Sequence, residues 1–169
     1  EFLENQVSIT TDDRRPIQVL MTSHSPNLAS RIDLKHLVVM HGQYAYPMAP
    51  SYTQLEFEDY DFLRRFLDVT KADLFFARGV LLVEGASEQI LLPVVAKLMG
   101  RPLTKYGVSV INVGHTGFFR YARIFQRSNG GNMKVRVACI SDLDIPPSIA
   151  EDYLRRDSDG NLTQPTTSS

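Results

Sequence analysis

The sequence predicts an α/β protein built on a parallel sheet that helices cover on both faces. Three short apolar runs, at residues 80–83, 108–113 and 135–140, alternate with helical patterns in the second half of the chain. Each run ends at a polar or glycine-containing segment, as buried parallel strands commonly do. Strands that alternate with helices in this way are joined by crossovers, which are right-handed in nearly all proteins.

The composition limits the classes of protein to which the chain can belong. Its 169 residues, 43% of them hydrophobic, are enough for one domain and part of another. With 18 Lys and Arg against 19 Asp and Glu, the chain has no overall basic field for coating nucleic acid. The single cysteine, Cys139, excludes an internal disulfide framework. No apolar run approaches a membrane span and no signal peptide opens the chain, so we expect a cytoplasmic location and no membrane partner.

The first half of the chain divides into two segments. Residues 1–50 hold two short apolar runs, at 17–21 and 36–41, with a Ser- and Pro-containing stretch and a short helix between them. Two short strands cannot bury a sheet, so we interpret this segment as the C-terminal remnant of a larger α/β domain. Residues 51–77 are predicted to be a helical linker, because apolar residues recur at helical spacing and acidic residues precede basic ones.

The second half supplies the elements of the parallel sheet. A helix is predicted over 87–98, with one apolar face that consists of Ile90, Leu91, Val94, Val95 and Leu98. A second helix is predicted over 117–127, before the third strand. A short charged helix at 148–156 and a polar tail without a strand follow, so we expect the sheet to be incomplete. We interpret residues 148–169 as truncated or as leading into a disordered insertion.

Four carboxylates follow the predicted strands. Glu84 comes directly after the first strand and Glu88 one helical turn later, while Asp142 and Asp144 follow the third strand. The carboxyl ends of parallel strands lie at one edge of a sheet, which is where open α/β proteins bind their ligands. Carboxylates gathered there would repel one another unless a hard cation such as Mg²⁺ or Mn²⁺ bound between them. Two such ions about 4 Å apart can support phosphodiester cleavage.

Several motifs at these positions resemble a known family. They are Leu-Val-Glu-Gly-Ala-Ser-Glu at 82–88, Leu-Leu-Pro at 91–93, Ile-Asn-Val-Gly at 111–114 and Ser-Asp-Leu-Asp at 141–144. In this order they resemble the Toprim domain, a Rossmann-like parallel sheet flanked by helices. More narrowly, they resemble the OLD (overcoming lysogenisation defect) family of ATP-dependent endonucleases. Leu-Met-Thr-Ser-His-Ser-Pro at 20–26 is similar to the end of the ABC-type ATPase domain that precedes Toprim in that family.

The resemblance implies a domain organisation and a function. Residues 1–50 would end an ATPase domain, and residues 78–147 would form a partial Toprim catalytic domain. The implied function is a DNA endonuclease that uses two Mg²⁺ or Mn²⁺ ions. A homodimer or higher oligomer, formed through the missing ATPase region, is also implied.

The resemblance also assigns roles to individual residues. Glu84 matches the first metal-binding glutamate, which serves as a ligand or a general acid/base, and Glu88 matches the second acid of a Glu-x-x-x-Glu variant. Asp142 and Asp144 match the Asp-x-Asp metal ligands. His24 matches the ATPase switch histidine that senses the terminal phosphate of ATP.

The chain also departs from the family's pattern. It contains no G-x-x-x-x-G-K-[ST] loop, so we expect ATP to bind only in an intact protein that supplies this loop. A later glutamate and a lysine, which complete the site in related nucleases, have no match here. We therefore keep open a non-catalytic Toprim module that binds nucleic acid or a partner. A topoisomerase or primase with the same domain is another alternative. An aspartyl phosphatase is a further one, although Pro146 does not fit its motif.

Three further residues are weaker candidates for nucleic-acid contact. His115 follows the second strand and opens a helix, where phosphate groups are favoured, but it also fits a plain turn. Arg120 and Arg123 share a helix face with Arg127, and this stripe could meet a DNA backbone, although such stripes are usually only solvated.

Overall fold

The computed structural model describes residues 19–114 and 117–142. The chain divides into two compact units, Glu1–Cys139 and Ile140–Ser169. Only residues 140–142 of the second unit are described, so the elements below belong to the first unit apart from the last residue of its final strand. The predicted helix at 148–156 and the tail lie outside the described residues.

A short helix and a hairpin open the described part of the chain. Helix α1 (Pro26–Ala29) leads to strands β1 (Val38–His41) and β2 (Tyr44–Pro47), which pair antiparallel. Gly42, with φ of 61°, allows the tight turn between the strands. The sequence predicted β1 but missed β2. Of the predicted run at 17–21, residues 19–21 have no regular secondary structure and the other two lie outside the described residues.

The segment between the hairpin and the parallel sheet is helical, as the sequence predicted. Helix α2 (Phe57–Phe66) carries acidic residues in its first turn and Arg64 and Arg65 in its last, as the helix dipole favours. A 3-10 helix (Ala72–Phe75) follows it. Two further 3-10 helices, Leu34–His36 and Pro50–Tyr52, precede α2.

The second half of the first unit contains a three-stranded parallel sheet, which confirms the predicted fold class. Strands β3 (Gly79–Val83), β4 (Val108–Asn112) and β5 (Arg136–Ile140) lie in the order β4-β3-β5. The register of β3 and β4 runs from Gly79 opposite Val108 to Val83 opposite Asn112. The ends of these two strands are therefore level, and the residues that follow them leave the sheet at the same edge.

Helices α3 (Ala86–Leu98) and α4 (Phe118–Arg123) connect the strands. Helix α4 is shorter than the predicted 117–127. After α4, Gln126 forms an isolated β-bridge with Asn132, and Arg127 forms one with Thr53. The chain is therefore no longer helical at these two positions.

The apolar face predicted on α3 is exposed instead of buried. Its five residues are 37–83% exposed, and no residue of α3 is fully buried. The partly buried side of the helix carries Gln89, Leu92, Pro93 and Ala96, which recur at helical spacing as well. The periodicity thus predicted the helix correctly but did not identify the side that meets the sheet.

The hydrophobic core joins the helical segment to the sheet. Fully buried side chains come from the segment after β2, from α2, β3 and α4, and from the connections between these elements; they include Met48, Leu63, Leu74, Leu82 and Tyr121. The buried Tyr121 hydroxyl donates to the carbonyl oxygen of Phe66 at 2.9 Å. Arg127 Nη2 donates to the carbonyl oxygen of Pro47 at 2.7 Å, and Gln54 Nε2 donates to that of Arg127 at 3.1 Å.

None of the helices in the described ranges combines the length and the apolar character that crossing a membrane requires.

Candidate functional site

Glu84 lies at the carboxyl edge of the parallel sheet. It follows β3 directly and is half-buried. The ladder between β3 and β4 continues to this point, because the Val113 amide donates to the Val83 carbonyl oxygen at 2.9 Å. Glu84 therefore leaves the sheet beside the end of β4, at the edge where the sequence predicted a functional carboxylate.

Glu88 lies at the same strand-to-helix junction. It is the third residue of α3, whose N-cap is Gly85. The carboxylate reaches back over the junction, since its Oε2 atom lies 2.8 Å from the position that a Cβ atom on Gly85 would occupy. A glycine at 85 leaves room for this carboxylate, and the positive end of the helix dipole favours its negative charge. A glutamate here also favours the start of a helix.

The other predicted acidic ligands and the two predicted histidines are either exposed or lie outside the described residues. Asp142 is exposed and belongs to the second unit, two residues after the end of β5. Asp144 and His115 lie outside the described residues, and His24 is exposed just before α1. Within residues 19–114 and 117–142, no three His, Cys, Asp or Glu side chains are grouped so that they could hold a metal ion. The four-carboxylate site stays a prediction.

The two candidate DNA-binding arginines contact a buried acid. Arg123 Nη1 lies 3.0 Å from Asp59 Oδ2, and Arg120 Nε lies 3.6 Å from Asp59 Oδ1. The hydrogen bond to Asp59 raises the pKa of Arg123. Asp59 is 3% exposed, whereas both arginine side chains are 38% exposed. The arginines hold α4 against α2, and phosphate contact by their exposed parts stays a prediction.

A cleft of about 460 Å³, which the sequence did not predict, lies beside the carboxyl end of β4. Its lining consists of Phe62, Phe66, Thr70, Lys71, Gln89, Ile111, Asn112, Val113 and Gly114. The run at 111–114 was recognised as part of a motif, but nothing in the pattern of 62–71 connects it with that strand end. The packing of α2 against α4, and of α4 against β3, brings the two walls together.

An aspartate holds the loop on one side of this cleft. Asp68 Oδ1 accepts from the Thr70 hydroxyl at 2.6 Å and from the Lys71 amide at 3.0 Å, and its other oxygen contacts the Lys71 ammonium. Burial alone would raise the pKa of Asp68, but the hydrogen bonds from Lys71 and Thr70 outweigh it and lower the pKa to about 2. The loop is therefore fixed around an ionised carboxylate.

Comparison with protein families assigns the sheet and its acidic residues to one domain type. The model for the TOPRIM domain of overcoming lysogenization defect protein-like (OLD-like) sequences matches residues 75–144. Searches of curated proteins and of solved structures gave no significant match. The matched range begins before β3, ends after β5 and contains all four predicted carboxylates. Residues 75–144 thus match the OLD-like TOPRIM domain model, which is consistent with the OLD-family Toprim region that the motifs predicted.

Proposed function

We propose that the Toprim domain of this chain is a Mg²⁺- or Mn²⁺-dependent DNA endonuclease. The observation that carries the proposal is the placement of Glu84 and Glu88 at one strand-to-helix junction on the carboxyl edge of the sheet. Asp142 and Asp144 fall within the same family match and complete the proposed ligand set. All the donor atoms are carboxylate oxygens, which suit these hard cations.

The proposed mechanism divides the work between the ions and the protein. The bound ions would supply an activated water molecule and stabilise the leaving oxygen of a phosphodiester. Glu84, half-buried at the end of β3, would bind metal or accept the proton of the attacking water. Glu88 would add negative charge beside it, held over Gly85 at the start of α3.

The remaining parts of the proposal concern ATP, oligomerisation, location and further DNA contacts. His24 would act as an ATP switch only in an intact ATPase domain, and oligomerisation would involve that ATPase region. A cytoplasmic location and contacts from His115, Arg120 and Arg123 to DNA complete the proposal. The sequence motif at 20–26 supports the ATPase assignment, and both arginine side chains are 38% exposed, which supports contact with phosphate.

Cleavage of supercoiled plasmid by the full chain with Mn²⁺ or Mg²⁺ tests the proposal. We expect nicked and linear products, and we expect Glu84→Gln and Asp142→Asn to slow their formation at least about 100-fold. Asp61→Asn is the matched control, because Asp61 is a partly exposed carboxylate on α2 whose neighbour is Arg64. Equal cleavage by all variants would refute the assignment.

Other products of the same assay would favour the alternatives. Closed relaxed circles would indicate a topoisomerase. Metal binding by the chain without any cleavage would favour a non-catalytic module that binds nucleic acid or a partner.

A further inference from the structure

The cleft beside β4 lies next to the proposed catalytic edge. Asn112, in its wall, ends β4 opposite Val83, and Glu84 is the residue after Val83. Adjacent strands of a sheet are about 4.8 Å apart, so the cleft begins one strand away from Glu84. The cleft and Glu84 therefore lie at the same edge of the sheet.

One wall of the cleft is aromatic and well anchored. The rings of Phe62 and Phe66 have centroids 4.6 Å apart. Phe62 also contacts the Arg120 guanidinium, 4.5 Å from its ring centroid, and makes a T-shaped contact with the Tyr121 ring. Phe66 is 51% exposed, so part of its surface remains open to a ligand. The Tyr121 hydroxyl fixes the Phe66 backbone at its carbonyl oxygen.

The cleft lining also contains polar side chains, among them Lys71, Gln89 and Asn112. An ammonium group has three N–H donors, so Lys71 keeps donors beyond its contact with Asp68. Asn112 Oδ1 accepts from the Gly114 amide at 3.1 Å. The side-chain nitrogen of Asn112 donates no hydrogen bond to another described residue. Gln89 Nε2 donates to the Val110 carbonyl oxygen at 3.3 Å, which orients that amide at the wall. The cleft thus combines a ring surface with a cation and amide groups.

We propose that this cleft binds one unstacked nucleotide of the DNA strand beside the cleavage point, and this inference rests on the proposed nuclease function. The base would stack on Phe66, the amides of Asn112 and Gln89 would lie beside its edge, and a neighbouring phosphate would contact Lys71. Proteins that bind single strands commonly combine aromatic platforms with cationic groups in this way. The volume of about 460 Å³ lies in the usual range for small-ligand sites.

Binding of a fluorescent single-stranded oligonucleotide to the full chain, measured by anisotropy in EDTA, tests the inference without cleavage. Phe66→Ala should raise Kd about 5- to 150-fold, which corresponds to a stacking contribution of ~1–3 kcal/mol. Phe57→Ala is the matched control, because Phe57 lies on the same helix and is 78% exposed outside the cleft. Its Kd should stay within about twofold of the parent value. Phe66→Leu, which keeps most of the side-chain volume, should weaken binding as Phe66→Ala does.

Each remaining outcome bears on one claim. Equal Kd values for Phe66→Ala, Phe66→Leu and the parent chain would overturn the cleft assignment, even if plasmid cleavage depends on Glu84. Phe66-dependent binding of a free deoxynucleoside monophosphate, without oligonucleotide binding, would also overturn it, because the cleft would then hold a free nucleotide. Phe66-dependent oligonucleotide binding without cleavage would support the cleft and refute the nuclease.

Discussion

Replacement of Asp59 by alanine should destabilise the protein far more than replacement of any exposed acid on α2. Asp59 is 3% exposed and accepts three polar contacts. Its Oδ2 atom accepts from the Glu56 amide at 3.1 Å, which satisfies a free donor at the start of α2, and from Arg123 at 3.0 Å. Arg120, at 3.6 Å, adds charge attraction without a short hydrogen bond.

The expected magnitude follows from these contacts. Loss of the contact at the helix start costs about 1 kcal/mol, and loss of a hydrogen bond to a charged group costs about 1.5–3 kcal/mol. Because both arginine side chains are 38% exposed, they can be rehydrated, and the penalty for a fully buried unpaired charge does not apply in full. We therefore expect Asp59→Ala to lower the free energy of unfolding by about 2–3 kcal/mol, or Tm by about 5–10 °C.

Urea unfolding followed by circular dichroism measures this loss. Asp61→Ala is the control, because its ion pair with Arg64 lies on the surface and should contribute less than about 0.5 kcal/mol. A double-mutant cycle of Asp59→Ala with Arg123→Gln should give a coupling of about 1–2 kcal/mol. If Asp59→Ala and Asp61→Ala proved equally stable, or if the coupling were zero, the account of this contact would be refuted.

Two further predictions concern the loop at the cleft and the start of α4. The pKa of Asp68 is about 2 in the folded chain and 3.8 ordinarily, so its contribution to stability should be present above about pH 4 and lost as the pH falls toward 2. Because the Asp68 side chain is partly exposed, the parent and Asp68→Asn should differ in free energy of unfolding by less than about 1 kcal/mol. This difference should shrink as the pH falls from about 4 toward 2, and urea titrations at each pH measure it. Gly117→Ala should cost about 1–3 kcal/mol, because the new Cβ would lie 2.8 Å from the Val113 carbonyl oxygen and 2.9 Å from the Tyr121 ring. Gly131→Ala, which meets only the movable Asn129 side chain at 3.2 Å, should cost less in the same thermal-unfolding assay.

The parallel sheet could be predicted because its strands are continuous apolar runs with clear ends. Residues 80–83 and 135–140 of the prediction differ from the observed β3 and β5 by one residue each, and the ends of these runs located Glu84 and Asp142. The hairpin strand β2 was missed because Tyr-Ala-Tyr-Pro is too short and mixed to show a period. Its pairing is set by the turn at Gly42 and by β1, neither of which its own residues encode.

It was harder to predict which face of each helix is buried and which residues line the cleft, because both depend on contacts between distant parts of the chain. Apolar spacing in α3 fits two different faces, and which one meets β4 is decided by the sheet. Arg120 and Arg123 formed a stripe that suggested DNA contact, while their contact with Asp59 joins residues about 60 positions apart. Phe66 and Asn112 are joined in one cleft in the same way.

The contacts of Arg127 and Tyr121 have a consequence for how this domain can be isolated. The family match begins at residue 75, yet Arg127 is bonded to Pro47 and Gln54, and Tyr121 to Phe66. A fragment that began at residue 75 would leave these buried groups without their hydrogen-bond partners and would lack core residues such as Met48, Leu63 and Leu74. We therefore expect the cooperative unfolding unit to extend upstream at least to Pro47, and a recombinant fragment meant to retain native packing should begin before that residue.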